Sequence, residues 1–287
     1  MSESYTQKTI RIDIALDEKG SREIKTFEGF ATAVNIQKNG EPEKPKASVS
    51  IIGLSLDTMA QLTHLAFEPR SSRKNLIEIL AGDRGATLAS VFKGEITTAW
   101  ADFNKAPSIE FQIEARSGSY PSLIPQSPLS VKGQQTAEEA ISSLCKQIGY
   151  SFENAGVTAS ISNCVINGDP IKKMQWIAES VGANLVIDDT SVVLMPKSGT
   201  RKNTGEIPLI TSENGMIGYP TFDDNGISAS CFFRPELRIG GKVRVESIVP
   251  RATGVWKITS LTHELAAYNT GGGSWKTSFK GSYISNG

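Results

Sequence analysis

The residue types that most often do acid–base or metal chemistry are scarce in this sequence and widely separated. It has two histidines, His64 and His263, and neither has a cysteine or a second histidine at metal-ligand spacing. A histidine that acts as a general base needs partners within hydrogen-bond reach, and the sequence places none beside either position. It therefore predicts no histidine-based catalysis and no metal site.

Adjacent carboxylates occur twice, at Asp188 and Asp189 and at Asp223 and Asp224. Neighbouring side chains along a strand point to opposite faces of a sheet, which is poor geometry for two carboxylates that share a proton. We predict that both pairs are turn-forming residues. The sequence also lacks the GxGxxG and GxxxxGK patterns that cradle phosphate groups. We therefore expect no cofactor and interpret the chain as a non-enzyme.

The cysteines and tryptophans favour structural roles. Cys145, Cys164 and Cys231 are an odd number without CxxC spacing, which argues against a disulfide framework or a zinc site and predicts buried free thiols. The tryptophans at positions 100, 176, 256 and 275 fall on three predicted strands and one predicted helix. We expect them to pack in cores rather than to stack on bases or sugars.

Length and charge limit the function classes. The chain has 287 residues, which suits two or three domains because single cores rarely grow beyond about 250 residues. Thirty basic residues balance thirty acidic ones, so no global attraction to nucleic acid or anionic membrane is expected, and protein partners are favoured. No apolar run of about 18 residues occurs, so we expect no membrane span or signal peptide and a soluble protein made in a reducing cytosol.

The first part of the chain, residues 1–125, reads as an antiparallel β-barrel with one helix. Residues 9–16 alternate apolar and polar side chains, the period of a half-buried strand. The polar, proline-containing residues 39–46 predict an exposed loop, and residues 56–67 have helical spacing with Ser55 as N-cap. Further strands are predicted between residues 76 and 115.

The middle part, residues 126–200, reads as a small α/β domain that we call the insert. Residues 120–133 contain three prolines and little periodicity, so we interpret them as a linker. Thr136 and Glu139 have capping-box spacing for a helix that ends at Gly149. Asp169 and Pro170 open a second helix, and a hairpin of strands follows it.

The last part, residues 201–287, is strand-rich after a second polar linker at residues 198–206, and it predicts a second β-barrel. Arg201 and Lys202 lie in that linker, where we expect them to be solvated; contact with an acidic partner or with passing DNA is the alternative. The fold class is therefore mainly β with an α+β insert, in which two tube-like antiparallel β-barrel domains flank a small α/β domain.

Several phrases in the two outer domains resemble baseplate hub proteins of phages and tail-like machines. Residues 76–118, LIEILAGDRGATLASVFKGEITTAWADFNKAPSIEFQIEARSG, resemble the strand sequence of the hub's tube-like domain. Residues 213–247, ENGMIGYPTFDDNGISASCFFRPELRIGGKVRVES, and residues 254–281, GVWKITSLTHELAAYNTGGGSWKTSFKG, resemble the family's last domain and its final hairpin. The insert does not take part in the resemblance.

The resemblance implies a structural function. Three chains would form a homotrimer, a pseudo-sixfold ring that adapts the symmetry of the tail tube or a distal tail protein to that of the spike. Its lumen would admit the tape measure protein and DNA without sequence-specific binding. Exposed edge strands of the barrels would add to neighbouring sheets. The implied location is the tail baseplate of the virion, after assembly in the host cytoplasm.

Three surfaces are candidates for contact with partners. Their residues are Asn39 and Lys46, which bound the first loop; Arg70, Arg73 and Lys74, which follow the first helix; and Gly271, Gly272 and Gly273, in the tip of the last hairpin. Deleting residues 39–46 or 270–274 is expected to leave folding intact and to block attachment. For the basic cluster, a solvated loop is the alternative to an acidic partner or passing DNA.

A second function class fits the same composition. A carbohydrate-binding, peptidoglycan-binding or cell-wall-acting module can also combine β-rich domains, scattered tryptophans and a small α/β unit. Saturable glycan binding would favour that class, and self-assembly into a ring would exclude it.

Overall fold

The computed structural model describes residues 6–18, 21–40, 43–63, 75–118, 127–202, 205–269 and 272–284. Strands predominate within these ranges, and the helices are few. The predicted mainly-β fold with a small α/β part is confirmed. None of the described helices is long and apolar enough to cross a membrane. The chain divides into two compact units: the described parts of Met1–Gln37, Lys46–Arg116 and Thr262–Thr277 form unit 1, and those of Lys38–Pro45, Ser117–Leu261 and Ser278–Gly287 form unit 2.

Unit 1 is built on antiparallel strands. Its elements are β1 Lys8–Glu18, β2 Ser21–Glu28, β3 Ala31–Asn39, β4 Lys46–Ile52, α1 Leu56–Leu62, β5 Leu76–Asp83, β6 Ala89–Asp102 and β7 Glu110–Arg116. The strand order is β3-β4-β7-β6-β5-β1-β2. Alternation along β1 buries Ile10, Ile12 and Ile14, because every second side chain faces the same side of the sheet. The period-two prediction for this strand is confirmed.

Helix α1 is shorter than predicted. Ser55 is its N-cap, as expected, and its side chain accepts a hydrogen bond from the Thr58 backbone. The helix ends at Leu62, because Thr63 has an extended backbone with ψ of 126°. Beyond this point, His64, Arg70, Arg73 and Lys74 lie outside the described residues.

The insert lies in unit 2 and has its own core. Its elements are β8 Leu129–Thr136, α2 Ala137–Ile148, β9 Ser151–Asn154, β10 Ser160–Ile166, α3 Pro170–Ser180, β11 Ala183–Asp188 and β12 Ser191–Pro196. The helices bury Ile141, Leu144 and Met174 against Leu185 and Leu194 of the strands. The predicted caps are present: Thr136 and Glu139 form a capping box, and Asp169 accepts from the Lys172 backbone.

Two strands of the insert were not predicted. β8 begins inside the segment interpreted as a linker and pairs with β10, with an irregular register between Ser162 and Cys164. β9 runs parallel to β12. Prolines early in the segment conceal β8, and four residues of β9 are too few to show a period.

The remaining strands of unit 2 surround a second core. They are β13 Leu209–Ile210, β14 Met216–Asp223, β15 Gly226–Phe232, β16 Lys242–Val245, β17 Gly254–Ala267 and β18 Trp275–Tyr283. The order is β14-β15-β18-β17, with β16 on β17, and the short β13 pairs with β16 in parallel. Ile227, Cys231, Val243, Trp256 and Phe279 are buried in this core. β3, β17 and β18 contribute residues to both units, and the predicted division at residues 125 and 200 stays a prediction.

Candidate functional site

The first predicted contact segment belongs to unit 2 except for Lys46, and it makes several hydrogen bonds within that unit. Asn39 accepts a hydrogen bond from Ser260 Oγ at 2.7 Å, and the Gly40 backbone donates to Thr259. Lys44 donates to the Gly118 carbonyl at 2.9 Å. Lys46 is exposed at the start of β4. A deletion of residues 39–46 would remove these internal contacts together with the outer surface, so point substitutions are the cleaner test of this prediction.

The second predicted segment is the connection between β17 and β18. Gly271 lies outside the described residues, whereas Gly272 and Gly273 are exposed. Gly272 has a φ of 76°, which favours glycine. A Cβ at Gly273 would come within 2.3 Å of the Ala266 Cβ, so glycine allows the close approach of the two strands. The predicted hairpin is present, and the contacts expected of its tip stay a prediction.

Unit 2 contains a buried charge network that sequence reasoning missed. Its members are Lys38 near the end of β3, Glu153 in β9, Asp188 at the end of β11, Asp189 in the following turn, and Arg201 after β12. Arg201 is 8% exposed, so the expectation that it is solvated is wrong. Polar linker composition suggested exposure, but the buried Asp188 and the half-buried Glu153 pair with its guanidinium.

Each cation of the network joins two carboxylates. Lys38 Nζ lies 2.9 Å from Asp188 Oδ1 and 2.8 Å from Asp189 Oδ2. Arg201 Nη1 lies 2.8 Å from Asp188 Oδ2, and its Nε lies 2.9 Å from Glu153 Oε2. Asp188 and Asp189 form a turn, as predicted, but both carboxylates reach the same ammonium group. This is possible because Asp189 has a φ of 57°, a left-handed backbone conformation. Its side chain therefore does not point to the opposite face from Asp188, as it would in a regular strand.

The network keeps Asp188, Lys38 and Arg201 ionised. Burial alone would raise the pKa of Asp188, but the charges and hydrogen bonds of Lys38 and Arg201 outweigh it and lower that pKa to about 2. Burial alone would lower the pKa of Lys38, but Asp189 and Asp188 raise it. Burial likewise opposes the charge of Arg201, but Asp188 and Glu153 raise its pKa. Asp188, Lys38 and Arg201 therefore remain charged around neutral pH, which suits a structural connection.

Acid is expected to lower the free energy of unfolding of unit 2 mainly below about pH 4, because Asp188 becomes protonated there and loses its ion pairs. Its folded pKa of about 2 lies below the ordinary value of 3.8, so its stabilisation is complete above the ordinary value and is lost as pH falls toward 2. Urea unfolding between pH 2 and 6 should show a steeper acid loss for the wild type than for Asp188→Asn. Parallel curves for the two proteins would contradict the assignment.

The other groups with chemical potential are enclosed. His263 is buried in unit 1, and its Nδ1 lies 2.9 Å from Thr277 Oγ1. Cys145 and Cys231 are buried free thiols, as predicted, and burial raises the pKa of each to about 12. Cys164 is free but partly exposed. Within the described ranges, no three metal-ligating side chains come together.

Large apolar side chains are exposed on the β14–β15 hairpin of unit 2. We call Ile217, Tyr219 and Phe232 the edge patch; their exposures lie between 40% and 64%. Phe222 is also exposed, but it pairs with the buried Ile227 and therefore lies on the other face of the sheet, outside the patch. Ile217 pairs with Ser230, so it lies on the same sheet face as Phe232, two residues further along β15. Monomeric soluble proteins seldom expose apolar clusters without a function. The edge patch is therefore a candidate assembly surface.

The backbone beside this patch is poorly suited to strand addition. Among the described strands, β14 pairs only with β15. Its register shifts between Ile217 and Thr221, and Pro220 in that interval has no N–H to donate. A bulge and a proline are common protections of an edge strand. A partner would therefore contact the side chains of the edge patch rather than extend the sheet along all of β14.

The tryptophan prediction is correct at one position and wrong at two. Trp256 is buried in the second core of unit 2, where its indole N–H donates to the Ala252 carbonyl at 3.0 Å. Trp100 on β6 and Trp176 on α3 are 38% and 43% exposed. Lying on a strand or a helix does not determine whether a ring faces the core or the solvent. In both elements, other apolar side chains fill the core and these two rings face outward.

Comparison with known proteins identifies the family. The family model described as baseplate hub gp41 matches residues 9–271. The chain belongs to the baseplate hub gp41 family. This family membership confirms the predicted resemblance and makes the hub chain a structural protein of a phage-type tail baseplate. No curated protein matches the chain.

Solved structures similar to the hub chain agree with the fold. A tail protein from Neisseria meningitidis MC58 has a TM-score of 0.62 at 13% identity, over 95% of this chain and 96% of its own. The 43 kDa tail protein of prophage MuSo2 from Shewanella oneidensis gives 0.61 at 12%, over 94% and 96%. A type VI secretion component of E. coli, described as structurally similar to T4 bacteriophage tail proteins gp27 and gp5, gives 0.57 at 10%, over 94% and 77%.

Proposed function

We propose that the chain is a non-enzymatic hub subunit that forms a trimeric, pseudo-sixfold ring between the tail tube and the spike. The observation that carries the proposal is the match to the baseplate hub family along nearly the whole chain. The division into two compact units, each with its own β-rich part, supports it, because two units in each of three chains would give six positions around a ring.

The partners follow from this position in the tail. The ring would bind the tail tube or a distal tail protein on one side and the spike on the other. The similarity to a secretion component described as resembling both gp27 and gp5 supports a spike partner. A lumen would admit the tape measure protein and DNA, and the balanced charge of the chain fits passage without sequence-specific binding. Assembly would take place in the host cytoplasm.

The edge patch gives the ring a contact surface. A closed ring needs a heterologous contact, in which one surface of a chain meets a different surface of the next. Phe232 and Tyr219 are large aromatic side chains of the kind that dominate interface energy. Both are 64% exposed, so covering them would add apolar burial that the single chain lacks.

Native mass of the purified chain tests the proposal. A trimer would have three times the chain mass of 30.9 kDa. Ile217→Asp and Phe232→Asp should each lower the trimer fraction at least tenfold, since a charge would be buried in the contact. Ile248→Asp, which alters an exposed apolar residue outside the patch, is the matched control and should assemble normally.

The outcomes separate the two function classes. A chain that stays monomeric with its tube and spike partners present would overturn the ring. Equal assembly of Phe232→Asp and the control would remove the edge patch from the contact. The exposed Trp176 on the insert is the feature that favours the carbohydrate-binding alternative. A monomer that binds glycans saturably, and loses this binding in Trp176→Ala, would support that alternative.

A further inference from the structure

The insert meets the rest of unit 2 through a small apolar contact. Val186, Val193 and Met195 of the insert form one buried cluster with Ile239, which lies outside it. A Cβ at Gly240 would approach Met195 Cε to 2.7 Å, so the surfaces are close. Apolar burial is not directional, and a cluster of this size permits several orientations of similar energy.

The buried charge network crosses the same boundary. Asp188, Asp189 and Glu153 belong to the insert, whereas Lys38 arrives from β3 and Arg201 from the segment after β12. The Arg201 backbone also donates to the Gly240 carbonyl at 2.7 Å, beside the apolar contact. Charge-assisted hydrogen bonds of a guanidinium have a fixed fork geometry. The directional part of this boundary is therefore carried by ions.

We propose that the buried charge network is an orientation lock that sets one position of the insert on the remainder of unit 2. A buried ion network usually contributes little net stability, because desolvation offsets the attraction between its charges. The separate apolar cores of the insert and of the strands β13 to β18 supply the stability instead. The lock is a property of the single chain and does not depend on the proposed ring.

Distances between spin labels test the lock. Labels at Glu179→Cys on α3 and Arg244→Cys on β16 use exposed positions on the two sides of the boundary, in a Cys164→Ser background. Double electron–electron resonance of the wild-type network should give one narrow distance distribution. A charge-free variant with Lys38→Met, Glu153→Leu, Asp188→Leu, Asp189→Asn and Arg201→Met should broaden it at least twofold, while its urea midpoint is unchanged or higher.

Two further proteins complete the test. Arg234→Met with Glu236→Leu removes an exposed ion pair of unit 2 outside the network and should leave the distribution narrow. Arg201→Lys keeps the charge but loses the fork, so it should broaden the distribution even if the charge-free variant does not fold. Wild-type width in Arg201→Lys, or in a folded charge-free variant, would overturn the lock whatever the oligomeric state.

Discussion

Lys38→Met is expected to destabilise unit 2 by about 3–5 kcal/mol, the range for breaking a buried ion pair from one side. Lys38 Nζ is the shared partner of Asp188 and Asp189, at 2.9 and 2.8 Å. Methionine has similar length and fills the space, so the loss reports on charge rather than on a cavity. The two carboxylates would remain close together without the ammonium group between them. Urea unfolding at pH 7 measures the effect.

Lys280→Met is the matched control for this substitution. Lys280 pairs with Asp223 at 3.7 Å in the same unit, and its side chain is 63% exposed. Exposed pairs of this kind contribute about 0–1 kcal/mol. An equal, small loss in both variants would mean that the buried charge network is as weakly coupled as a surface pair.

Gly226→Ala is expected to destabilise unit 2 by about 3 kcal/mol or more, from overpacking together with backbone strain. A Cβ at Gly226 would lie 2.0 Å from the Gly281 carbonyl oxygen on β18. The Cβ is attached directly to the backbone of β15, and the oxygen belongs to the backbone of β18, so neither atom can rotate away. The strands must separate, which would disturb the packing of Trp256 against this region. Thermal unfolding followed by tryptophan fluorescence measures the loss.

Gly205→Ala provides the comparison. Among the described residues, no atom beyond its chain neighbours lies within 4 Å of a Cβ at Gly205, so alanine is accommodated there and reduces the freedom of the unfolded chain. Its unfolding temperature should equal or slightly exceed that of the wild type. An unchanged unfolding temperature in Gly226→Ala would show that β15 and β18 can separate without loss of stability. That result would contradict the proposal that the close approach of Gly226 to Gly281 is required.

The sequence by itself determined features that depend on neighbours along the chain. Alternation identified β1, and the spacing of Thr136 and Glu139 identified a capping box, because these hydrogen bonds and faces are set within a few residues. Phrases spread over the outer domains were sufficient for the family resemblance, since they preserve the order of strands. The mainly-β class followed from the same local patterns.

Only the tertiary structure decided which polar residues are buried together. Lys38 lies 150 residues from Asp188, and even Arg201, 13 residues from it, follows another strand. No local pattern near any of the three predicts the other two. Arg201 has the local composition of a solvated linker, yet chain closure places its guanidinium between Asp188 and Glu153. Trp176 likewise faces solvent because other residues of α3 fill the core. Whether a residue is buried depends on which distant segments pack against it. Local periodicity in the sequence carries no information about that packing.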